Sequence, residues 1–505
     1  MIGLITILQQ LVNANRSLLS FSLLQMLKMQ DLRQMAFLYC NLFDRFQSNS
    51  KKKMQTFIKH ILQLLVIAFL SASLYAQPNP AVQKMAPAAL RADFMLMRDA
   101  LTKNHPALYR YSSKTRIDHI FDSCGASIKD SMPLVDFYLL TSYVMAAIGD
   151  GHAHCKLPKA FMDDYTTTTK LFPAMVLFIN NRAFVYCCKQ KTELEGTEIL
   201  SINGHPMKSV IARLFRYIQT DGRIQSRKNW ELPEFFHLYY NTLYGATDSF
   251  SVTARSKKGN LIKTVVQGDY VRTILCGNPM PRPDKYLTLQ YTTDNIAILT
   301  IKTFLDDFLN TTGEHFRPFL DSAFNDIKAK KVTRLIIDGR RNQGGYDHNG
   351  QILYSYLTQK PFAYYASQET VKGKITESQN HDLLEQQPDK NSYWGKVFFL
   401  MDGRSFSGTA EFSSIAKSNQ RGVFIGEETG GEYYGNSSGD EVNVTLPNSQ
   451  ISCRIPLIKY TMAVKRSKYT DRGVIPDYPA YPTIYDFIEH KDSQLEYAIK
   501  LVKGF

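Results

Sequence analysis

Two serines stand between a buried apolar segment and a helix-like segment near residue 400. The apolar run Val397–Asp402 is followed by Ser405 and Ser407, and Ser407 directly precedes the helical pattern of Gly408–Ser418. Backbone N–H groups at a helix N-terminus, together with the helix dipole, stabilise a developing oxyanion beside such a serine. Either serine is therefore a candidate nucleophile. The alternative is that Ser407 simply caps the helix, although the third residue after it is an alanine and completes no capping box.

A second candidate segment is the glycine-rich turn Asp338-Gly-Arg-Arg-Asn-Gln-Gly-Gly345, which follows the buried strand predicted for Val332–Asp338. Paired glycines leave backbone N–H groups unshielded, which suits an oxyanion hole and also suits a phosphate. Neither GxxxxGK[ST] nor GxGxxG follows a strand in the sequence, so nucleotide binding is not predicted. An ordinary glycine turn is the alternative.

The third candidate segment, Asp150-Gly-His-Ala-His-Cys155, contains residue types that bind metals and residue types that move protons. A metal site needs further histidines or carboxylates at a recognisable spacing, and the other histidines after residue 76 form no such pair. We predict no metal and no other cofactor. One histidine acting as a general base is favoured instead, and His154 then fits a structural histidine.

These segments lie in a chain whose pattern changes twice. Residues 77–89 are rich in Pro and Ala and are predicted to form a linker, and helical periodicity dominates residues 90–159. Residues 160–275 contain short strand-like runs and an amphipathic segment, which predicts a small β-rich module with a helical flap. Apolar strands alternate with helices over residues 285–505, which predicts a mostly parallel sheet, with residues 370–393 as an inserted loop.

The N-terminal region is predicted to be a targeting segment. Lys51, Lys52 and Lys53 precede an apolar run at about residues 61–70, and small residues follow up to Ala76. This is the pattern of a secretory signal peptide, and the apolar run is too short for a comfortable membrane span. Residues 1–76 are therefore interpreted as an over-extended N-terminus plus a signal peptide. The alternative is that the segment is not cleaved and serves as a signal anchor. Association with a membrane is expected only in that case.

Composition excludes several classes of protein. The 505 residues are 44% hydrophobic and 21% charged, which excludes a largely disordered or collagen-like chain. The net charge is +14, but no arginine-rich arm or basic repeat with interleaved aromatics accompanies it, so nucleic-acid binding is not predicted. The seven cysteines are irregularly spaced and contain no CxxC pair, and we expect mostly free, buried thiols rather than a disulfide scaffold.

Taken together, the segments resemble the S41 serine peptidases, which comprise the C-terminal processing (tail-specific) peptidases and their tricorn-core-like relatives. The resemblance extends over most of the chain after the signal peptide. Its motifs stand in the family's order: Asn104–Tyr109 with Ile148–His152, Gly196–Gly204, Leu335–Gly345, Ser405–Glu411 with Gly426–Gly431, and Arg472–Asp477.

The resemblance implies a multi-domain α/β fold. It implies a ClpP/crotonase-like catalytic domain at 285–505, a PDZ-like module at 160–275 and a helical N-terminal domain at 90–159. It also implies that Ser407 attacks a peptide carbonyl, and that the N–H groups of Gly408 and Gly345 (or Gly344) hold the oxyanion.

The chain departs from the tail-specific pattern at the catalytic base. Those peptidases use a Ser–Lys dyad, and Glu432 stands here where the lysine is expected. The tricorn-like branch uses a histidine, which the resemblance places at His152, preceded here by Gly151 in place of a serine. That branch orients its histidine through an acidic relay near the closing motif. Asp471 or Thr470 is the expected counterpart, and the predicted catalytic set is Ser407, His152 and Asp471.

Three functional hypotheses follow. The preferred one is an exported serine endopeptidase, periplasmic or associated with the cell envelope, that hydrolyses polypeptides with a Ser nucleophile and a His base. The alternative is an inactive S41-like scaffold that binds peptide termini through the PDZ-like module. The third is a metal-dependent hydrolase centred on His152 and His154. The sequence does not indicate which oligomeric state the protein adopts.

Overall fold

The computed structural model describes residues 84–505. The predicted signal peptide, Cys40 and the first residues of the predicted linker lie outside these residues. The described helices are, in chain order, α1 Pro87–Asn104, α2 Lys114–Ser127, α3 Leu134–Ile148, α4 Lys159–Thr168, α5 Met207–Leu214, α6 Ser226–Tyr244, α7 Val271–Ile274, α8 Asp306–Thr311, α9 Phe316–Ala329, α10 Asp347–Ser355, α11 Gly408–Ser418, α12 Ile484–Ile488 and α13 Ser493–Lys503.

The strands form several sheets. They are β1 Lys84–Met85, β2 Met132–Pro133, β3 His154–Lys156, β4 Met175–Ile179, β5 Arg182–Cys187, β6 Glu198–Ile202, β7 His205–Pro206, β8 Ser249–Arg255, β9 Leu261–Gln267, β10 Leu287–Tyr291, β11 Ile296–Ile301, β12 Arg334–Asp338, β13 Tyr365–Thr370, β14 Gly373–Lys374, β15 Lys396–Met401, β16 Val423–Gly426, β17 Ser437–Thr445, β18 Ser452–Met462 and β19 Tyr478–Pro479. The predicted α/β class is confirmed as a mixed α/β fold.

The N-terminal helices lead the chain into the histidine segment. Helix α1 begins at Pro87, which favours the first helical position because it lacks the N–H that would be unpaired there. The predicted linker at 77–89 therefore overlaps the first three residues of this helix. Helix α3 ends at Gly149, whose φ of 79° is left-handed and suits glycine. The chain turns sharply there, so Asp150 and His152 leave the helix toward the molecular interior.

Residues 175–267 form an antiparallel sheet in the order β4-β5-β6-β8-β9, with β7 paired to β6. The short strand-like runs predicted within residues 160–275 are observed as strands, among them β4, β5, β6 and β8. The 19-residue helix α6 was not predicted, because Pro233 lies inside it and interrupts the helical pattern.

A disulfide joins Cys187, at the end of β5, to Cys276. The expectation of mostly free, buried thiols holds for four of the six described cysteines. This disulfide was not predicted, because its members lie 89 residues apart and show no sequence signature. Among the described cysteines, Cys124, Cys155, Cys188 and Cys453 are buried and unbonded.

The predicted parallel sheet is confirmed. It has the order β10-β11-β12-β15-β16-β19, and every neighbouring pair from β11 onward is parallel. Strand β12 pairs with β15, with Asp338 opposite Leu400. The carboxyl ends of adjacent parallel strands meet at one edge of a sheet. This topology therefore places the glycine turn after Asp338 directly beside the serine turn after Met401.

A second sheet, in the order β14-β13-β18-β17, carries β3 on β18. Strand β3 pairs antiparallel, with His154 opposite Arg454 and Cys155 opposite Cys453. This pairing brings the histidine segment to the C-terminal half of the chain, although His152 is 255 residues from Ser407 in sequence. The sheet β14-β13-β18-β17, together with β3, is called the second sheet.

One hydrophobic cluster runs from Leu90 in α1 through Val266 in β9 and also includes Ile455 of the second sheet. The helical part and the β-rich part therefore share a core. The domain boundaries predicted at 159/160 and 275/285 stay predictions. Between residues 84 and 505, no helix is both long and apolar enough to cross a bilayer.

Candidate functional site

Ser407 lies at the junction of the parallel sheet and helix α11. Its backbone has φ of 52° and ψ of −129°, a region that non-glycine residues rarely occupy and that costs backbone strain. The side chain makes no capping hydrogen bond to the helix, although it occupies the N-cap position. Its Oγ instead lies 3.2 Å from Nε2 of His152. The capping alternative is therefore not what the structure shows.

Ser405, the competing serine, has a structural role. It is fully buried, its Oγ accepts a hydrogen bond from the N–H of Asp402 (3.0 Å), and it donates to the carbonyl of Gly339 (2.9 Å). These bonds close the serine turn onto the end of β12. The hydroxyl of Ser405 is thus occupied on both sides, whereas the hydroxyl of Ser407 faces the histidine.

His152 is held by its backbone and by an aromatic contact. Its N–H donates to Oδ1 of Asp150 at 2.8 Å. Its ring stacks on Phe406, with centroids 4.5 Å apart and an interplanar angle of 26°. The guanidinium of Arg227 lies 3.5 Å from the centroid of the same Phe406 ring. Packing therefore fixes the imidazole plane that presents Nε2 to Ser407.

The environment keeps His152 neutral. Burial, reinforced by the positive charges of Arg227 and Arg454, lowers the pKa of His152 to about 3, while the negative charge of Asp150 opposes that shift. Its Nδ1 is buried without a hydrogen-bond partner among the described residues. A neutral imidazole can accept the proton of Ser407, but its low pKa makes it a weak base unless nearby negative charge stabilises the imidazolium.

Two backbone N–H groups converge beside Ser407. Between residues 84 and 505, the N–H groups of Gly345 and Gly408 donate to no acceptor. A Cβ placed on Gly408 would lie 3.7 Å from the nitrogen of Gly345, so the two glycines are neighbours. Gly344, the alternative donor, already gives its N–H to Oδ1 of Asn342 at 2.9 Å. The geometry favours Gly345 and Gly408 as the pair that is free to bind an oxyanion.

Close packing explains the glycines in the turn. At Gly344, with φ of 92°, a Cβ would lie 2.8 Å from Cβ of Ser407. At Gly345, with φ of 145°, a Cβ would lie 2.2 Å from the carbonyl carbon of Phe304. Both positions combine a backbone conformation that favours glycine with space for no side chain. The turn can therefore pack against the serine turn only with glycine at these positions.

Buried polar groups anchor this turn. The side chain of Asn342, which is fully buried, donates to the carbonyl of Ile301 at 3.2 Å, and its backbone carbonyl accepts from Phe406 N–H at 3.1 Å. Arg340 makes charged hydrogen bonds with Asp338 and with Asp492. Fully paired buried networks hold their members in one arrangement. The oxyanion donors therefore stand on a rigid support.

Carboxylates lie behind the histidine. Asp150, Asp221 and His152 each place a ligand-type atom within 4.8 Å of the others. Asp221 is 1% exposed and accepts hydrogen bonds from the N–H groups of Gly151 (2.8 Å) and Glu432 (3.2 Å). Burial, with the negative charge of Asp150, raises the pKa of Asp221 to about 7. Asp221 was not predicted from the sequence, because its partners lie 70 and 211 residues away.

Asp150 stays ionised at a pH at which Asp221 is protonated. Burial disfavours its carboxylate, but His105, whose Nε2 lies 3.2 Å from Oδ2 of Asp150, and the nearby His152 lower its pKa to about 2. The two buried carboxyl groups thus titrate far apart. At neutral pH one negative charge is fixed beside His152, and a second appears as Asp221 ionises.

Glu432 occupies the position at which tail-specific peptidases carry their lysine. Its carboxylate pairs with Arg110 at 2.9 Å, and burial raises its pKa to about 7. Arg110 also donates to the carbonyl groups of Asn436 and Tyr460. Arg110 therefore links the helical N-terminal region to Glu432 and to β18 of the second sheet, and the backbone N–H of Glu432 holds Asp221.

Asp471 is not brought to His152. Its side chain is one-third exposed and faces Arg223, with 3.6 Å between the carboxylate and the guanidinium. Its backbone carbonyl accepts from Arg223 N–H at 2.8 Å and packs against Gly222. Asp471 thus supports the loop that carries Asp221. Of the predicted catalytic set, the structure brings together Ser407 and His152 and leaves Asp471 apart.

The histidine segment does not form the metal site that His152 and His154 would make together. Within the described part of the chain, the only metal-type cluster is Asp150, His152 and Asp221, and His154 is not in it. Oδ1 of Asp150 and both oxygens of Asp221 already accept backbone hydrogen bonds. Burial lowers the pKa of His154 to about 4. These contacts fit a hydrogen-bonded structural cluster better than an ion site.

Ser407 and His152 open onto a cleft of about 990 Å³. Gly345, Phe406 and Tyr460 also line it, with walls from the helical, β-rich and α/β parts of the chain. This volume lies at the upper end of the range of small-molecule pockets. It therefore has room for several residues of an extended peptide beside the serine.

Comparisons with known proteins give a family match for part of the chain and a fold shared with solved structures. Residues 295–480 match the model of peptidase family S41. The structure of mature CPAF is similar at a TM-score of 0.59 and 14% identity, covering 83% of this chain and 97% of that one. CPAF complexed with lactacystin aligns at 0.58 and 14%, with 83% and 98% covered. The photosystem II D1 C-terminal processing protease aligns at only 0.39 and 12%, with 80% and 98% covered. A search of curated proteins found no match.

The family match spans the strands and turns that carry Gly345, Ser407 and Glu432, and the likeness to CPAF shows a shared fold. The predicted family is confirmed by the match of residues 295–480 to the model of peptidase family S41, and this match supports a serine-type peptidase.

Proposed function

We propose that this chain is an exported endopeptidase in which Ser407 is the nucleophile and His152 the general base. The observation that carries this proposal is the 3.2 Å approach of His152 Nε2 to Ser407 Oγ at the wall of the large cleft. A nucleophile and base within hydrogen-bond reach are the signature of an activated serine. Ser405, whose hydroxyl is engaged in the turn, is not the nucleophile in this proposal.

In the proposed reaction, Ser407 Oγ attacks the peptide carbonyl while His152 Nε2 takes its proton. The oxyanion forms between the N–H groups of Gly345 and Gly408. Removing one such donor typically costs about 3 kcal/mol of transition-state stabilisation. His152 then protonates the leaving amine, and water hydrolyses the acyl-enzyme by the same steps in reverse order.

The low pKa of His152 requires help from the carboxylates behind it. We assign that role to Asp150 and Asp221, because a carboxylate oxygen of each lies within 4.8 Å of a ring nitrogen of His152. Asp471 is not part of this cluster. Negative charge at that distance stabilises the imidazolium that forms in the transition state. The acidic group thus comes from the loop before α6 rather than from the closing motif.

The layout of the chain around this site is also a proposal. Residues 285–505 with their parallel sheet fit a ClpP/crotonase-like domain, and the antiparallel sheet β4–β9 with α5 fits a PDZ-like module that delivers chain ends to the cleft. Export is supported by the signal-like residues 51–76 and by the disulfide Cys187–Cys276, since disulfides persist in oxidising compartments. N-terminal sequencing of the secreted chain tests it, with Gln77 expected first.

Labelling with a fluorophosphonate probe tests the catalytic proposal. The probe reacts with activated serines, and peptide mass mapping locates the adduct. We expect the adduct on Ser407 in the parent chain and a loss of labelling in His152→Ala. An adduct on Ser405, or equal labelling of the His152→Ala variant, contradicts the assignment. Absence of labelling in the parent favours the scaffold that binds peptide termini without cutting them.

A further inference from the structure

Two cysteines lie face to face beside the catalytic histidine. Cys155, on β3, is opposite Cys453 on β18, and their Sγ atoms are 2.7 Å apart. Non-bonded carbon atoms, which are smaller than sulfur, already prefer a separation of about 3.5–4.0 Å. Two thiols therefore do not rest comfortably at this distance.

The backbone geometry suits a covalent bond. Residues directly opposite each other in an antiparallel pair have Cα atoms about 4.5–5.5 Å apart, which lies within the range of about 4.4–6.8 Å found in disulfides. Both side chains are buried, with Cys155 4% and Cys453 0% exposed. The pair thus needs no backbone movement to be joined.

We propose that Cys155 and Cys453 form a disulfide that anchors the His152-bearing segment to the second sheet. Strand β3 has three residues and, among the strands of residues 84–505, pairs only with β18, so few hydrogen bonds hold it. His152 lies three residues before Cys155. A covalent bond at Cys155 therefore limits how far the base can move from Ser407.

The bond forms by thiol–disulfide exchange with a glutathione-type disulfide or an oxidoreductase disulfide. One cysteine loses its proton and attacks an oxidant sulfur, which releases a thiolate and leaves a mixed disulfide. The second cysteine, also deprotonated, displaces the other oxidant sulfur. Two electrons and two protons end on the oxidant as two thiols. Contact with Cys155 and burial raise the pKa of Cys453, so the exchange belongs to folding, before the strands close.

Thiol mapping tests the linkage without relying on activity, so its failure is distinct from failure of the proposed peptidase function. The chain is folded with oxidised glutathione, unfolded without reductant, alkylated and digested. Among the cysteines after residue 84, we expect alkylation of Cys124 and Cys188 only, and a linked peptide containing Cys155 and Cys453. Alkylation of Cys155 and Cys453 as well overturns the proposal. A Cys187→Ser/Cys276→Ser variant, which lacks the other disulfide, is expected to retain the linked peptide.

The rate of fluorophosphonate labelling tests the anchoring. Small displacements of a catalytic group cost up to about a hundredfold in rate, and we expect reduction to slow labelling of the parent by about tenfold. The Cys155→Ser/Cys453→Ser variant is expected to be slow already and insensitive to reductant, whereas Cys187→Ser/Cys276→Ser responds as the parent does. A linked peptide combined with a parent labelling rate that reduction leaves unchanged overturns the anchoring of His152.

Discussion

Replacement of Asp221 by Asn tests how the acid behind the histidine works. Asp221 ionises with a pKa raised to about 7, so it is neutral in acid and negative above neutral pH. Ionised Asp221 stabilises the imidazolium of His152, and protonated Asp221 does not. Peptidase activity of the parent is therefore expected to rise as the pH increases through about 7. The Asp221→Asn variant lacks this rise because its side chain does not titrate.

The size of the effect follows from the distance. The ligand-type atoms of Asp221 and His152 lie within 4.8 Å of each other. At that upper limit and an effective dielectric constant of about 20, two unit charges interact by about 3.5 kcal/mol. Because Asp150 already supplies one fixed charge and the site partly relaxes, we expect about 2–3 kcal/mol in the transition state. This corresponds to roughly a hundredfold loss of kcat/KM at pH 8.

The assay compares the two proteins at two pH values on an internally quenched peptide. The amide of Asn accepts one fewer backbone hydrogen bond than the carboxylate, but that loss is the same at pH 5 and pH 8. The parent-to-variant ratio of kcat/KM should therefore be small at pH 5, where Asp221 is protonated, and large at pH 8. A ratio that stays constant with pH refutes the electrostatic role.

Glu432 supplies the matched control. Its pKa is also raised to about 7 by burial, but its carboxylate is paired with Arg110. The Glu432→Gln variant is expected to keep the rise in activity through pH 7. If Glu432→Gln loses the rise in activity and Asp221→Asn keeps it, then Glu432, and not Asp221, is the group whose ionisation causes the rise.

Three further predictions concern packing, stability and metals. In Gly151→Ala the new Cβ lies 2.9 Å from Phe406 Cζ, so the ring that supports the histidine shifts and kcat/KM falls about tenfold, whereas Gly125→Ala, with an ordinary 3.4 Å contact, stays active. Arg340→Leu leaves the buried carboxylate of Asp338 without its main partner and lowers the free energy of unfolding by about 3–5 kcal/mol in denaturant titration. Lys114→Ala, which removes an ion pair on the surface, leaves the denaturation midpoint nearly unchanged. A chelator such as EDTA leaves peptidase activity unchanged; loss of activity that zinc restores would contradict the metal-free mechanism.

The parallel sheet and its two turns were predictable because their signals are local. Buried apolar strands followed by glycine turns identified Val332–Asp338 and Val397–Asp402, and a helix was expected from Gly408 onward. Parallel pairing of β12 with β15 then places both turns at one sheet edge without any further information. Local sequence could not distinguish Ser405 from Ser407 as the nucleophile. The choice depends on which hydroxyl forms structural hydrogen bonds in the folded chain.

The rest of the site depends on contacts between distant segments. The sequence favoured a histidine as base, and the resemblance placed it at His152, but its support by Phe406 is visible only once the strands pair. Asp221 lies in a loop with no motif, and the acid was sought at Asp471 because the resemblance points to the closing motif. Which carboxyl group supports His152 is decided by contacts in the folded chain and not by position in the sequence. The disulfide Cys187–Cys276 was missed for the same reason.

The most direct test of the catalytic assignment is hydrolysis of an unfolded polypeptide by Ser407→Ala, with Ser405→Ala as the matched control. Loss of the nucleophile removes covalent catalysis, so Ser407→Ala is expected to lose at least about a thousandfold in kcat. Ser405→Ala removes two hydrogen bonds from the turn, so it is expected to lower stability while retaining measurable hydrolysis in the folded fraction. Full hydrolysis by Ser407→Ala, with activity lost in folded Ser405→Ala, would contradict the account.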